Sequence, residues 1–307
     1  MGIWYVKKTD DRVNFIKKCF KVLTIKQVQN RVIVELPIEN YETIGERLQE
    51  KLANKLSKSM YDKPNQNLVL ASNLELETFK NTLYANNCNI LNGRWLFKFL
   101  ISQVVDYIAE KQGEETGKLN VAIMINDNSE NNLKTIVKLA QKVKLLSIIT
   151  SDIDRFKRVE EYLFENMGIV IHTTNNRRKA LLKSSIIINV DFPEETVNQY
   201  TIPKKAIVIN VSEKISIKSK RFEGVNINYY NVLLPENEKK WMVENNLING
   251  FDENLLLESI LYSKKSYDAI ETQLHDVKIQ YLIGNNGIIC EKEFSVVPMD
   301  RYCNSIT

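Results

Sequence analysis

The residues of this chain that could do chemistry stand where apolar runs stop. "VAIMINDNSENN" (121–132) sets Asp127, Asn128 and Ser129 just beyond an apolar run, and "SIITSDID" (147–154) places Asp152 in the same position. "GIVIHTT" (168–174) brings His172 and Thr173, and "SIIINVDFPEE" (185–195) carries Asn189 and Asp191. Carboxylates, amides and hydroxyls at the ends of buried strands are the groups that meet ligands in open α/β proteins. His172, with His275 one of two histidines, is a candidate general base at the end of the third run, or a plain surface residue. Asp191 and Asn189 could touch a ligand after the fourth run. Asp191 could equally cap a helix with Pro193 in its first turn.

The turn at 125–130 decides what kind of ligand to expect. A dinucleotide fingerprint uses glycines for the tight turn, for the approach of backbone to pyrophosphate, and for close helix–strand packing. Between Gly117 and Gly168 there is no glycine, so that fingerprint is absent. Asp127, Asn128 and Ser129 are good helix caps, and the free N–H groups at a helix start still attract anions. Their side chains fill the space a pyrophosphate would take, however, and Asp127 would repel it. NAD and NADP are therefore expected to bind weakly or not at all.

The elements around these residues follow from hydrophobic spacing. From 120 onward apolar runs at 120–126, 145–150, 168–173, 185–190 and 205–211 alternate with helical patterns at 129–142, 153–166 and 177–184. Continuous apolar strands separated by helices describe a parallel sheet covered on both faces, here in the order 3-2-1-4-5. Upstream, 15–38 reads as two or three strands ending at Pro37. Residues 41–58 carry Ile44, Leu48, Leu52 and Leu56 at helical spacing, and 67–72 and 88–91 are short strands. A long helix spans 93–111, and 112–120 is the best linker. Downstream, 252–276 reads as a helix or a pair of helices, and 279–294 as a hairpin turning at "GNNG".

A length of 307 residues suits one large domain or two ordinary ones. Three segments are expected: an N-terminal α/β domain with its connecting helix at 1–111, a five-stranded, mostly parallel domain at 118–235, and a helical and hairpin extension at 236–307. Net charge is +4 from 42 basic and 38 acidic residues, too balanced to argue for nucleic acid as partner. Basic clusters at Arg177, Arg178, Lys179 and Lys183 and at Lys214, Lys218, Lys220 and Arg221 could meet phosphate, or be solvated faces. Cys19, Cys88, Cys290 and Cys303 are far apart with no C-x-x-C spacing, so no metal is expected and reduced thiols are. No apolar run is long enough for a membrane span, so a cytoplasmic location is expected. Ten glycines among many Asn, Lys and Ile residues read as the coding bias of an AT-rich bacterial genome.

The stretch 147–163 with "GIVIHTTNNRRKALLKSSIIINV" after it resembles the NAD(P)-binding Rossmann domain of the family that includes shikimate dehydrogenase, methylene-tetrahydrofolate dehydrogenase and glutamyl-tRNA reductase. Those proteins also carry an N-terminal α/β domain and a long connecting helix. The resemblance implies a Rossmann-like sheet, an acid such as Asp152 for the ribose, and NAD or NADP as cofactor. Two main readings follow. One is a Rossmann-like binding module for a small ligand or a protein, without hydride chemistry. The other is an NAD(P)-dependent oxidoreductase of that family. A third, nucleic-acid binding, requires both basic clusters on one face.

Overall fold

The computed structural model describes residues 2–9, 20, 22–29, 31–39, 44–61, 67–74, 76–245, 247, 250–262, 267–275 and 277–294. Cys19, Cys303 and part of the predicted strand region at 15–38 lie outside the described residues. Two compact units are present: Met1–Gly93 with Leu234–Asp276, and Arg94–Leu233 with Val277–Thr307. The connecting helix therefore belongs to the second unit, and the segment from 236 onward is divided between both.

In the first unit, β1 (Ile3–Thr9), β2 (Thr24–Val28), β3 (Arg31–Glu39), β4 (Asn67–Leu70) and β5 (Asn89–Ile90) form one sheet in the order β2-β3-β1-β4-β5. β1 lies between β3 and β4 and runs parallel to both, while β2 is an antiparallel edge. Strand β3 runs through Pro37 instead of ending there. α1 (Glu46–Met60) buries Leu52, Leu56 and Met60, a stripe at four-residue spacing, and α2 (Glu77–Ala85) buries Phe79 and Leu83.

The second unit opens with the expected long helix, but in two pieces, α3 (Arg94–Phe99) and α4 (Ile101–Gln112). The break has a local cause. The Leu100 N–H is shared between the carbonyls of Leu96 and Phe97, both at 3.1 Å, which tightens the turn there. α4 closes on Gly113, whose φ of 67° is the left-handed conformation a helix end favours in glycine.

The alternation then runs β6 (Asn120–Met124), α5 (Glu130–Lys142), β7 (Leu145–Ile149), α6 (Lys157–Met167), β8 (His172–Thr174), β9 (Ile186–Asn189), α7 (Glu194–Val197), β10 (Ile207–Asn210) and β11 (Val225–Val232). All neighbouring pairs among β6–β11 are parallel. In order of appearance the sheet reads 3-2-1-4-5-6, which contains the predicted 3-2-1-4-5 and adds β11 as a sixth strand. Residues 177–184 form hydrogen-bonded turns, not the expected helix. The Arg177 carbonyl accepts the Thr201 N–H at 2.9 Å, so it is engaged outside the helical i→i+4 ladder.

The chain next supplies α8 (Glu236–Glu244), α9 (Glu253–Tyr262) and α10 (Tyr267–Leu274) to the first unit. It then returns to the second with β12 (Ile279–Gly284), β13 (Gly287–Ile288) and α11 (Glu291–Phe294). The hairpin turns at 284–287 as predicted and extends the sheet antiparallel to β11, giving eight strands rather than five. Among the described residues no helix is long and apolar enough to cross a membrane.

Candidate functional site

Strand register brings the carboxyl ends of the second unit's strands into one row. Met124 of β6 faces Ile149 of β7 on one side and Asn189 of β9 on the other, and Asn189 faces Asn210 of β10. Two residues beyond this row, Asn126 must therefore lie beside both Ser151 and Asp191. Its neighbours are those residues.

The Asp191 carboxylate accepts the Asn126 N–H with both oxygens at 2.9 Å and the Asp127 N–H with Oδ2 at 2.7 Å. On the other side the Asn126 Oδ1 accepts from the Ser151 N–H (2.8 Å) and the Ser151 hydroxyl (2.7 Å). One turn residue thus ties together the ends of three strands. Strand order reverses direction between β6 and β9, the topological switch point at which open α/β sheets hold their ligands. A side-chain anion of the chain itself spans that point.

The turn is closed further by its own side chains. Asp127 accepts the Ser129 N–H (3.0 Å), the Ser129 hydroxyl (3.0 Å) and the Asn132 amide (2.8 Å). Ser129 occupies the N-cap position of α5, but its side chain makes no cap bond. Asn128 is exposed. Asp152, expected to meet a ribose, pairs instead with Arg155 at 2.9 Å on the surface. Asn189 is buried and clamps the next turn, donating to the Phe192 carbonyl at 2.9 Å and accepting its N–H at 3.0 Å.

His172 does not end its strand. It starts β8 opposite Ser147, in the middle of β7, so the exposed imidazole stands back from the edge row. Thr173 lies one residue further on; its N–H is bonded to Glu160 at 3.1 Å, while its hydroxyl is buried with no hydrogen-bond partner. Register therefore assembles Asp127, Ser129, Asn189 and Asp191, with Asp152 at the neighbouring strand end and His172 outside the group.

Sequence reasoning missed Arg94. Its Nη1 donates to three carbonyls, Asn210 (3.2 Å) and Val211 (3.2 Å) at the end of β10 and Asn228 (2.7 Å) midway along β11. Burial pulls the guanidinium pKa below its ordinary value, partly offset by Tyr229, Tyr230 and Glu213. Beside it, the Asn210 amide donates to Asn226 Oδ1 (2.8 Å) and Asn228 Oδ1 (3.0 Å). A signal existed: a cation in the first turn of a mostly apolar helix, where the helix dipole disfavours it.

Six parallel strands in the order 3-2-1-4-5-6, with helices in three of the five connections, decide the architecture. The second unit has a Rossmann-like fold. No family model and no curated protein matches the chain. Among solved structures it is similar to L-tryptophan dehydrogenase from Nostoc punctiforme, at 8% identity, 89% of this chain, 78% of that one and a TM-score of 0.34. It is also similar to D-mandelate dehydrogenase from Rhodotorula graminis, at 8% identity, 72% and 77% coverage and a TM-score of 0.34. For aspartate transcarbamoylase from Trypanosoma cruzi the identity is 12%, the coverage 70% and 72%, and the TM-score 0.28. The fold assignment rests on the strand order.

Proposed function

We propose that the Rossmann-like unit works as a binding module for a small ligand or a protein, without hydride chemistry, its glycine loop replaced by a turn that supplies its own anion. The observation that carries this reading is the Asp191 carboxylate on the amides of Asn126 and Asp127, at 2.7–2.9 Å. Backbone N–H groups at the first strand–helix turn are what a dinucleotide pyrophosphate uses in this fold. Here those donors are already engaged. A pyrophosphate would have to displace a carboxylate held by three contacts, then lie within a few ångströms of Asp127. Repulsion of that kind is on the order of 1–4 kcal/mol at surface-like dielectric, or about one to three decades of affinity. Free thiols at Cys88 and Cys290 suit the cytoplasmic location expected of such a module.

Calorimetric titration of the full chain with NAD(H) and NADP(H) tests the reading. Weak or undetectable binding is the expected result, with a measurable gain on replacing Asp191 by Ala if the amides then become available. A micromolar or tighter constant for the wild-type chain with any dinucleotide overturns the reading in favour of an oxidoreductase.

A further inference from the structure

A pocket of about 190 Å³ lies between α3 and the start of α5, wholly within the second unit. From α3 come Trp95, Lys98 and Phe99, at the three- and four-residue spacings that put side chains on one helix face. From the other side come Asp127, Ser129 and Asn131. The Trp95 and Phe99 ring centroids are 4.6 Å apart and the planes tilted by 51°, so one wall is aromatic.

Its charges are unequally engaged. Asp127 keeps its charge while accepting from Ser129 and Asn132, and it forms no ion pair with Lys98. Its repulsion, the same that disfavours a pyrophosphate, leaves the Lys98 side as the place for an anion. Lys98 is half-buried and makes no hydrogen bond or ion pair among the described residues. The Asn131 side-chain amide is likewise without a partner among them. A partly desolvated ammonium beside an apolar wall is stabilised by an incoming anion. The aromatic pair favours a planar apolar body next to it.

We propose that this pocket binds a small aromatic carboxylate, the carboxylate on Lys98 and Asn131 and the ring against Trp95 and Phe99. Size supports the class. The cavity matches the liquid volume of about six waters, at roughly 30 Å³ each, and falls below the ~300 Å³ at which pockets for drug-sized ligands begin. One ring with its carboxylate fits. The proposal rests on the small-ligand reading above and names its ligand class.

The test is a titration of the full chain with sodium benzoate, followed by ¹H–¹⁵N NMR. Saturable shifts are expected at the Trp95 indole N–H and the Asn131 side-chain amide. Benzyl alcohol, the neutral probe of similar shape, should bind about tenfold more weakly, and Lys98→Met should lose a comparable factor while Lys98→Arg retains most of the affinity. No saturable shift with benzoate, equal binding of benzyl alcohol, or a Lys98→Met protein that binds benzoate as well as wild type would each overturn the proposal. If Lys98→Met does not fold, the benzoate and benzyl alcohol comparison on the wild-type protein still decides. The dinucleotide titration fails separately, since it would move the backbone amides of Asn126 and Asp127.

Discussion

The carboxyl edge of the second unit's sheet is sealed in two opposite ways. Over β6 and β9 an anion, Asp191, sits on backbone N–H donors; over β10 and β11 a cation, Arg94, sits on backbone carbonyls. Both satisfy peptide groups that a strand end leaves open, and both take places a ligand could use. They differ in burial at one bond: the Asp127 amide that Asp191 holds is exposed, while the Asn126 amide and the three carbonyl contacts of Arg94, whose pKa desolvation shifts, are half-buried. Water can replace the first seal at modest cost and the second only poorly. The cationic half is thus the rigid one, and the anionic half the one a ligand could open.

The largest effect is expected at the opposite, amino end of the same two strands, β10 and β11. A Cβ at Gly224, just ahead of β11, would sit 1.9 Å from the Ala206 carbonyl oxygen, a backbone atom that also accepts the Val225 N–H. Gly224→Ala should cost about 3 kcal/mol or more, since overpacking against backbone has little room to relax. Denaturant unfolding monitored by tryptophan fluorescence measures it. Arg94→Met comes next. Three carbonyls lose their donor, an expected loss of about 2–4 kcal/mol, and Arg94→Lys should recover only part of it because the shorter side chain and more strongly hydrated ammonium do not match the position of Nη1.

On the anionic side Asp191→Ala should cost only about 1–2 kcal/mol by the same measurement, with water reaching the freed amides. A loss equal to that of Arg94→Met would break the contrast between the two halves. The smallest effect concerns Glu194, which links them by pairing with Lys218 at 2.9 Å. The Lys218 ammonium, and after it the Ser216 N–H, hold the Glu194 carboxyl below its ordinary value near 4.5. A depressed carboxyl adds stability above its unfolded value and loses it as pH falls through the folded one. Glu194→Gln should therefore lower stability slightly at neutral pH, with the difference from wild type vanishing as pH falls below about 4.5, so that the acid limb of the stability–pH curve flattens.

The second unit was largely legible because strands buried on both faces read as unbroken apolar runs; Ile186, Ile187 and Ile188 are all buried, as are Ile207, Val208 and Ile209. Strand β1 was not read, because Lys7 and Lys8 look like a polar end yet are buried in the fold at 6% and 8% exposure. The turns at 177–184 carry helical composition, and only a long-range bond to Thr201 shows why they are not a helix. At the site, residue types were readable but roles were not. Asp191 looked like a ligand contact and holds the chain's own turn, and that follows only from the register of β6 against β9. Arg94 needed the same register between β10 and β11.

The excursion of the chain out of the second unit at 233 and back at 277 sets a timetable for folding. Tyr5, in a strand complete within the first ten residues, packs edge-on against Phe251 at 5.7 Å, and its hydroxyl is bonded to Ser259 at 2.8 Å. Those partners leave the ribosome some 250 residues later, an interval of roughly 10–50 s at roughly 5–20 residues per second. During that time one face of the central strand of the first unit has nothing to pack against. Synthesis from the N-terminus therefore cannot complete this unit first, and the chain spends that interval with an apolar strand open to aggregation.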